Sequence, residues 1–138
     1  MNNTGILVAL LCVFALTACK GSVGSSGEQT IQSTKAGEMT VTLASAGGQL
    51  KNGENELMVS FTNAAGQPVD VGAASLNFHM AAMGSMAEMN DRAALTTTET
   101  PGKYRAKVNV EMRGTWEAQI AWQGAHGMGK ATMNVQAK

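Results

Sequence analysis

The chain is 138 residues long and carries ten basic and ten acidic side chains, a formal net charge of zero with its two histidines neutral. Its charge balance provides no basic field to hold nucleic acid, and its length suits one domain with a single buried core. Both of its cysteines fall within the first nineteen residues, which excludes a disulfide framework or a thiolate metal centre in the rest of the chain.

In chain order, the first element is the apolar run ILVALLCVFAL, Ile6 to Leu16. It is too short to span a bilayer and has the length of a signal-peptide core. Leu16-Thr17-Ala18-Cys19 resembles the lipobox of bacterial lipoproteins, although MNNTG before it lacks the usual Lys or Arg. The resemblance implies a signal peptide over 1–18, a lipidated Cys19 as the first mature residue, and a membrane tether in the bacterial cell envelope. Lys20 in place of Asp implies the periplasmic face of the outer membrane where the organism has one. The competing reading is an ordinary secretory signal cut elsewhere. Loss of Cys12 with the signal and acylation of Cys19 leave no thiol, which rules out CxxC redox chemistry and a blue-copper centre of the usual cysteine-ligated kind. The following KGSVGSSGEQTIQSTKAG has little to bury and reads as a flexible tether, so residues 19–37 are expected to link the lipid to a domain over 38–138.

From Glu38 onward apolar and polar residues alternate with period two, the mark of strands with one buried face. Met39, Val41 and Leu43 share a face, followed by Leu57, Val59 and Phe61, and then by Val69 and Val71 with Leu76, Phe78 and Met80 beyond a break near Gly72. Arg92 to Glu99 is Thr-rich and strand-like, Tyr104 to Met112 and Trp116 to Trp122 alternate cleanly, and Ala131, Met133 and Val135 close the chain. About seven short strands without a helical period predict an all-β, antiparallel sandwich of immunoglobulin-like type, with a barrel as the other architecture. If successive strands reverse direction, the turns at 46–55, 81–91 and 113–114 share one end, the top. Those at 64–68, 101–102 and 124–129 then share the bottom.

The segment NFHMAAMGSMAEMND, Asn77 to Asp91, places Met80, Met83, Met86 and Met89 at three-residue spacing directly after His79. A helix would turn about 300° per step, so the four thioethers would smear over half its circumference instead of forming a stripe. Gly84, Ser85, Asn90 and Asp91 favour a loop, and methionines exposed on a loop bring no evident packing gain. Thioether sulfur selects soft Cu(I) and binds it without losing a proton, which suits an oxidising compartment. The candidate ligands are therefore His79, Met80, Met83 and Met86, with Met89 as an exchange ligand and the nitrogen of His79 able to retain Cu(II) as well. If Met80 packs inward with Leu76 and Phe78, His79, Met83, Met86 and Met89 carry the site. Met112, at the same end, is either a further ligand or the last core residue of its strand, and Trp116 reads as core. His126 and Met128 in GAHGMG form a separate candidate pair at the bottom. Met58 points outward without an assigned role, and Glu88 and Asp91 read as solvated loop acids.

Met80 to Met86, Gly102-Lys103-Tyr104-Arg105-Ala106 and Met112-Arg113-Gly114-Thr115-Trp116 stand in the order of three elements typical of one family. These are a strand running into an MPxMxM-like loop, a G-x-Y-x-A strand, and an M-x-G-x-W turn. On them, the stretch from Glu38 to Gln136 resembles the YtkA-like group of small secreted β-sandwich domains, related to FixH-type proteins, with Ala81 where proline is usual. The resemblance implies an immunoglobulin-like fold and a role in envelope copper handling or copper-oxidase assembly, with an envelope copper protein as partner. No nucleophile with a paired base is visible, and a non-enzymatic role is expected. The alternative to copper binding is a metal-independent interaction domain that uses the methionines as an adaptable contact surface.

Overall fold

The alternating pattern is realised as nine strands in a computed structural model that describes residues 27–138. The expected signal peptide of 1–18, Cys19 and the beginning of the expected tether lie outside the described residues. The strands are β1 (Gln29–Ala36), β2 (Met39–Ser45), β3 (Gly53–Thr62), β4 (Ala73–Met80), β5 (Met89–Arg92), β6 (Ala94–Thr97), β7 (Lys103–Val110), β8 (Gly114–Gly124) and β9 (Gly127–Ala137). They form an antiparallel β-sandwich: one sheet in the order β1-β2-β3-β7-β6 and a second in the order β5-β4-β8-β9.

Two strands exceed the seven expected. The second half of the predicted tether is the edge strand β1, paired along its length with β2 and bulged between Thr30 and Gln32. Its residues are largely exposed, with Ile31 and Ala36 touching the core, so it adds an edge without adding much core. Polar side chains, Lys35 and the bulge are features that keep an edge from pairing with other chains. The strand expected over Arg92–Glu99 is β6, and the additional strand β5 lies almost wholly in the segment expected as a loop, 81–91; between them, at Ala93, the chain leaves β4 and joins β7 in the other sheet. Ala93 is buried and its N–H donates to Leu76 C=O at 3.0 Å, so that donor stays paired at the crossing.

The inward faces meet in one core. Val41, Leu43, Leu57, Val59 and Phe61 face Leu76, Phe78, Trp116, Ala118, Ile120 and Trp122. Phe61 packs edge-on to both Tyr104 and Trp122, with centroids 5.7 Å and 5.3 Å apart. Burial of each such large apolar side chain contributes roughly 1.5–3 kcal/mol.

Pairing directions place the loops at the two ends as the strand count requires. At the bottom, Phe61 N–H donates to Gly102 C=O at 2.8 Å and Val69 N–H to Phe61 C=O at 2.9 Å, which ties the 63–72 and 98–102 loops together. At the top, Lys138 N–H donates to Leu50 C=O at 3.0 Å, and Asp91 Oδ2 accepts from Glu111 N–H at 3.0 Å. The second bond anchors the base of the methionine segment to the β7–β8 turn.

Candidate functional site

The methionine segment closes the β4–β5 hairpin, and its three-residue spacing acquires a meaning other than a loose loop. Met80 pairs with Met89 at the strand ends, and Met83 pairs with Met86 three residues further in, in the same register. Met83 N–H donates to Met86 C=O at 3.2 Å, and Met86 N–H donates to Met83 C=O at 2.9 Å. Gly84 and Ser85 make the two-residue turn, with Gly84 at φ +57°. Glycine with positive φ at the first turn position, followed by a residue with negative φ, is the arrangement of a type II′ hairpin.

The consequence is geometric: residues directly opposite each other in an antiparallel pair project to the same face, their Cβ atoms about 5 Å apart. Met83 and Met86 therefore present two thioethers side by side. They are 62% and 40% exposed, which sets them among the most exposed large apolar side chains of the described residues.

Along β4 the alternation sends Phe78 and Met80 inward and Asn77 and His79 outward. Met80 is 4% exposed and belongs to the core, and Gly114 gives it room: a Cβ there would stand 3.0 Å from Met80 Cε. Met89, opposite Met80, shares its inward face and packs against the core. Because the register is kept, the same alternation carried along the hairpin puts Met83 and Met86 on the outward side with His79. Met112 is partly buried against the core at the same end, and its carbonyl accepts from Trp116 Nε1–H at 2.9 Å. Trp116 is fully buried, as the alternation predicts.

The expected ligands thus fall into two groups. His79, Met83 and Met86 share the outward side of one hairpin, while Met80, Met89 and Met112 line the core side at the same end. Met80 is a core residue, as the second of the two ligand sets has it, but Met89 of that set lies on the core side as well.

His79 is not alone on its face. Its Nε2 lies 3.3 Å from Glu88 Oε2, so Glu88, solvated as expected with its side chain 66% exposed, also touches the candidate histidine. Asn77 Nδ2 donates to Asn90 Oδ1 at 3.1 Å and to Gln119 Oε1 at 3.2 Å, and Gln119 Nε2 donates to Glu117 Oε1 at 2.7 Å. The sequence reading of Glu88 as a solvated loop acid missed its contact with His79. The signal was available, since a two-residue turn at Gly84-Ser85 returns the chain so that Glu88 comes back beside His79. Among the described residues, no three His, Cys, Asp or Glu side chains gather into a ready-made metal cluster. Any donor set here has to include thioether sulfur or a rearranged carboxylate.

His126 and Met128 occupy the opposite pole. Ala125-His126 is the β8–β9 turn, and Met128 pairs with Gln123 one step inside it. Met128 is 78% exposed beside Ala73, Ser75 and Ala121, while His126 borders Glu38, Met39 and Asn63 at the bottom of the sandwich. Met58, outward by alternation, is 9% exposed and stands between Ala44 and Arg105 in the sheet, so packing accounts for it.

The family model described as YtkA-like matches residues 33–121. The match begins within β1, contains the whole β4–β5 hairpin and ends before His126 and Met128. No curated protein and no solved structure matches the chain. With more than half of its length matched, from within β1 into β8 and including the methionine hairpin, this chain belongs to the YtkA-like family.

Proposed function

We propose that this protein is a copper-binding lipoprotein of the bacterial cell envelope. It would hold Cu(I) through Met83 and Met86, assisted by His79, and buffer the ion or deliver it to an envelope copper protein. The observation that carries the reading is the pairing of two exposed thioethers across a two-residue turn. Exposing methionine forgoes the free energy of burying it, and the paired geometry offers a soft ion two donors from one rigid element. A lipid anchor at Cys19 would keep the protein at the membrane. Under this reading the protein carries out no catalysis.

The test is an anaerobic titration of the purified protein with Cu(I) against a chromogenic Cu(I) chelator. Stoichiometric withdrawal of copper from the chelator is expected, and its absence would end the proposal. A second reading draws on the same exposure: Met83 and Met86 as a metal-independent contact surface for an envelope protein. Capture of such a partner that is abolished by Met83→Ala and unaffected by copper chelation would establish it.

A further inference from the structure

The side of the hairpin that carries the paired thioethers also carries harder donors. His79 Nε2 and Glu88 Oε2 are 3.3 Å apart, and the two side chains are 26% and 66% exposed. An ion pair or hydrogen bond so open to water contributes little and is easily parted. The strand register places Asn90 and Glu117 directly opposite His79, one on each flanking strand, and directly opposed residues share a face. His79 therefore stands between two carboxylates, one bonded to its ring and one across the strand. Glu117 uses Oε1 to accept from Gln119, which leaves Oε2 without a protein partner. The Asn90–Asn77–Gln119–Glu117 chain of hydrogen bonds keeps these groups in a single layer around the imidazole.

Imidazole nitrogen with carboxylate oxygen suits a divalent ion of borderline hardness, and copper stands highest among the first-row divalent ions for such a set. The thioethers of Met83 and Met86 are suited to the monovalent ion instead. We propose that His79, Glu88 and Glu117 form a Cu(II) subsite beside the thioether pair, so that the two oxidation states of copper share His79 and differ in their other donors. The inference deepens the copper-binding reading and rests on it for its ion. Cu(II) enters between Nε2 and the Glu88 carboxylate, and Glu117 turns from Gln119 to supply the second carboxylate. Glu88 and Glu117 are then the residues that separate the two modes, because neither carboxylate is itself among the Cu(I) ligands.

The test measures both ions on the same variants of the purified protein. Cu(II) is titrated in air against a competing chelator, with electron paramagnetic resonance on the loaded sample, and Cu(I) is titrated anaerobically. The wild type is expected to bind one Cu(II) with the hyperfine signature of a single imidazole nitrogen, which His79→Ala abolishes and His126→Ala preserves. Glu88→Gln/Glu117→Gln should weaken Cu(II) at least tenfold and leave Cu(I) within twofold, while Met83→Ala/Met86→Ala should do the reverse. Circular dichroism of each variant separates these effects from loss of fold. A nitrogen signature that survives His79→Ala, or unchanged Cu(II) affinity in the folded Glu88→Gln/Glu117→Gln protein, would overturn the subsite. Absence of Cu(I) binding beside intact Cu(II) binding at His79 would refute the thioether reading and leave the subsite standing.

Discussion

Two hairpins of the four-stranded sheet each combine a histidine, an exposed methionine and a glycine in or beside the turn, and they differ in what the turn does with them. In β4–β5 the Gly84-Ser85 turn falls between two methionines, so both thioethers project to one side, and the returning chain brings Glu88 to His79. In β8–β9 the turn consists of Ala125 and His126 themselves, and Met128 faces Gln123. A histidine within the turn and a methionine one step inside it do not form a cross-strand pair. The position of donors relative to the turn, more than their number, distinguishes the candidate site from its lower counterpart.

Substitutions in the two hairpins test this difference. The largest effect is expected within the upper hairpin, between its two sides. Met80→Ala should cost about 2–5 kcal/mol of folding stability by opening a core cavity, whereas Met83→Ala should stay within about 0.5 kcal/mol. Urea unfolding monitored by tryptophan fluorescence measures both. Comparable losses at the two positions would mean that the outer methionines are packed.

Next in size is the contrast between hairpins in copper affinity. Met83→Ala/Met86→Ala should lower Cu(I) affinity roughly a hundredfold, about 2.7 kcal/mol, and His126→Ala/Met128→Ala should leave it unchanged, as read by chelator competition. Equal losses would merge the two hairpins into one functional class. Within the lower hairpin, Gly129 lies under the Trp122 ring, where a Cβ would collide with it. Gly129→Ala should therefore cost about 1–3 kcal/mol by displacing Trp122, with no change in Cu(I) binding per folded molecule.

Gly84→Ala meets no neighbour within 4 Å, so its cost is conformational alone. The left-handed backbone should cost about 1–2 kcal/mol and weaken Cu(I) binding severalfold by loosening the thioether pair. The smallest effect concerns the scaffold beneath the lower hairpin. Tyr104 OH donates to Gly72 C=O at 2.6 Å, and Tyr104→Phe should cost about 1 kcal/mol. Burial first, and the nearby Asp70 carboxylate second, raise the Tyr104 pKa above its ordinary value of 10.0. A raised phenol pKa means that the folded state holds the proton more tightly than the unfolded state. That stability is fully present below pH 10 and is lost as pH rises through the folded value, so Tyr104→Phe should flatten the alkaline limb of a pH–stability curve.

Much of the sandwich was legible because one buried face imposes a period of two. Val41 to Leu43, Leu57 to Phe61 and Tyr104 to Val110 declare themselves in that way. β1 was not legible, because an edge strand with little to bury reads like a polar tether, and Ile31 and Ala36 are too sparse to show a period. The crossing at Ala93 was hidden for the opposite reason. Asp91, Ala93 and Leu95 keep alternating while the chain changes sheets, so the pattern records burial and is silent about partner strands.

At the candidate site, spacing was enough to argue against a helix, and Met80's alternation with Phe78 pointed inward. The hairpin register was also present in the sequence, as Gly84-Ser85 flanked by methionines. Read as a loop, the segment loses the two consequences of that register. Met89 follows Met80 to the core side, and Glu88 returns to His79.

The central claim is that copper sits between Met83 and Met86, and X-ray absorption at the copper edge of the Cu(I)-loaded protein tests it most directly. The account predicts copper–sulfur scattering from two thioethers in the wild type, preserved in Met128→Ala and absent in Met83→Ala/Met86→Ala. A coordination shell of nitrogen and oxygen alone, or sulfur scattering that persists in the double variant, would contradict it.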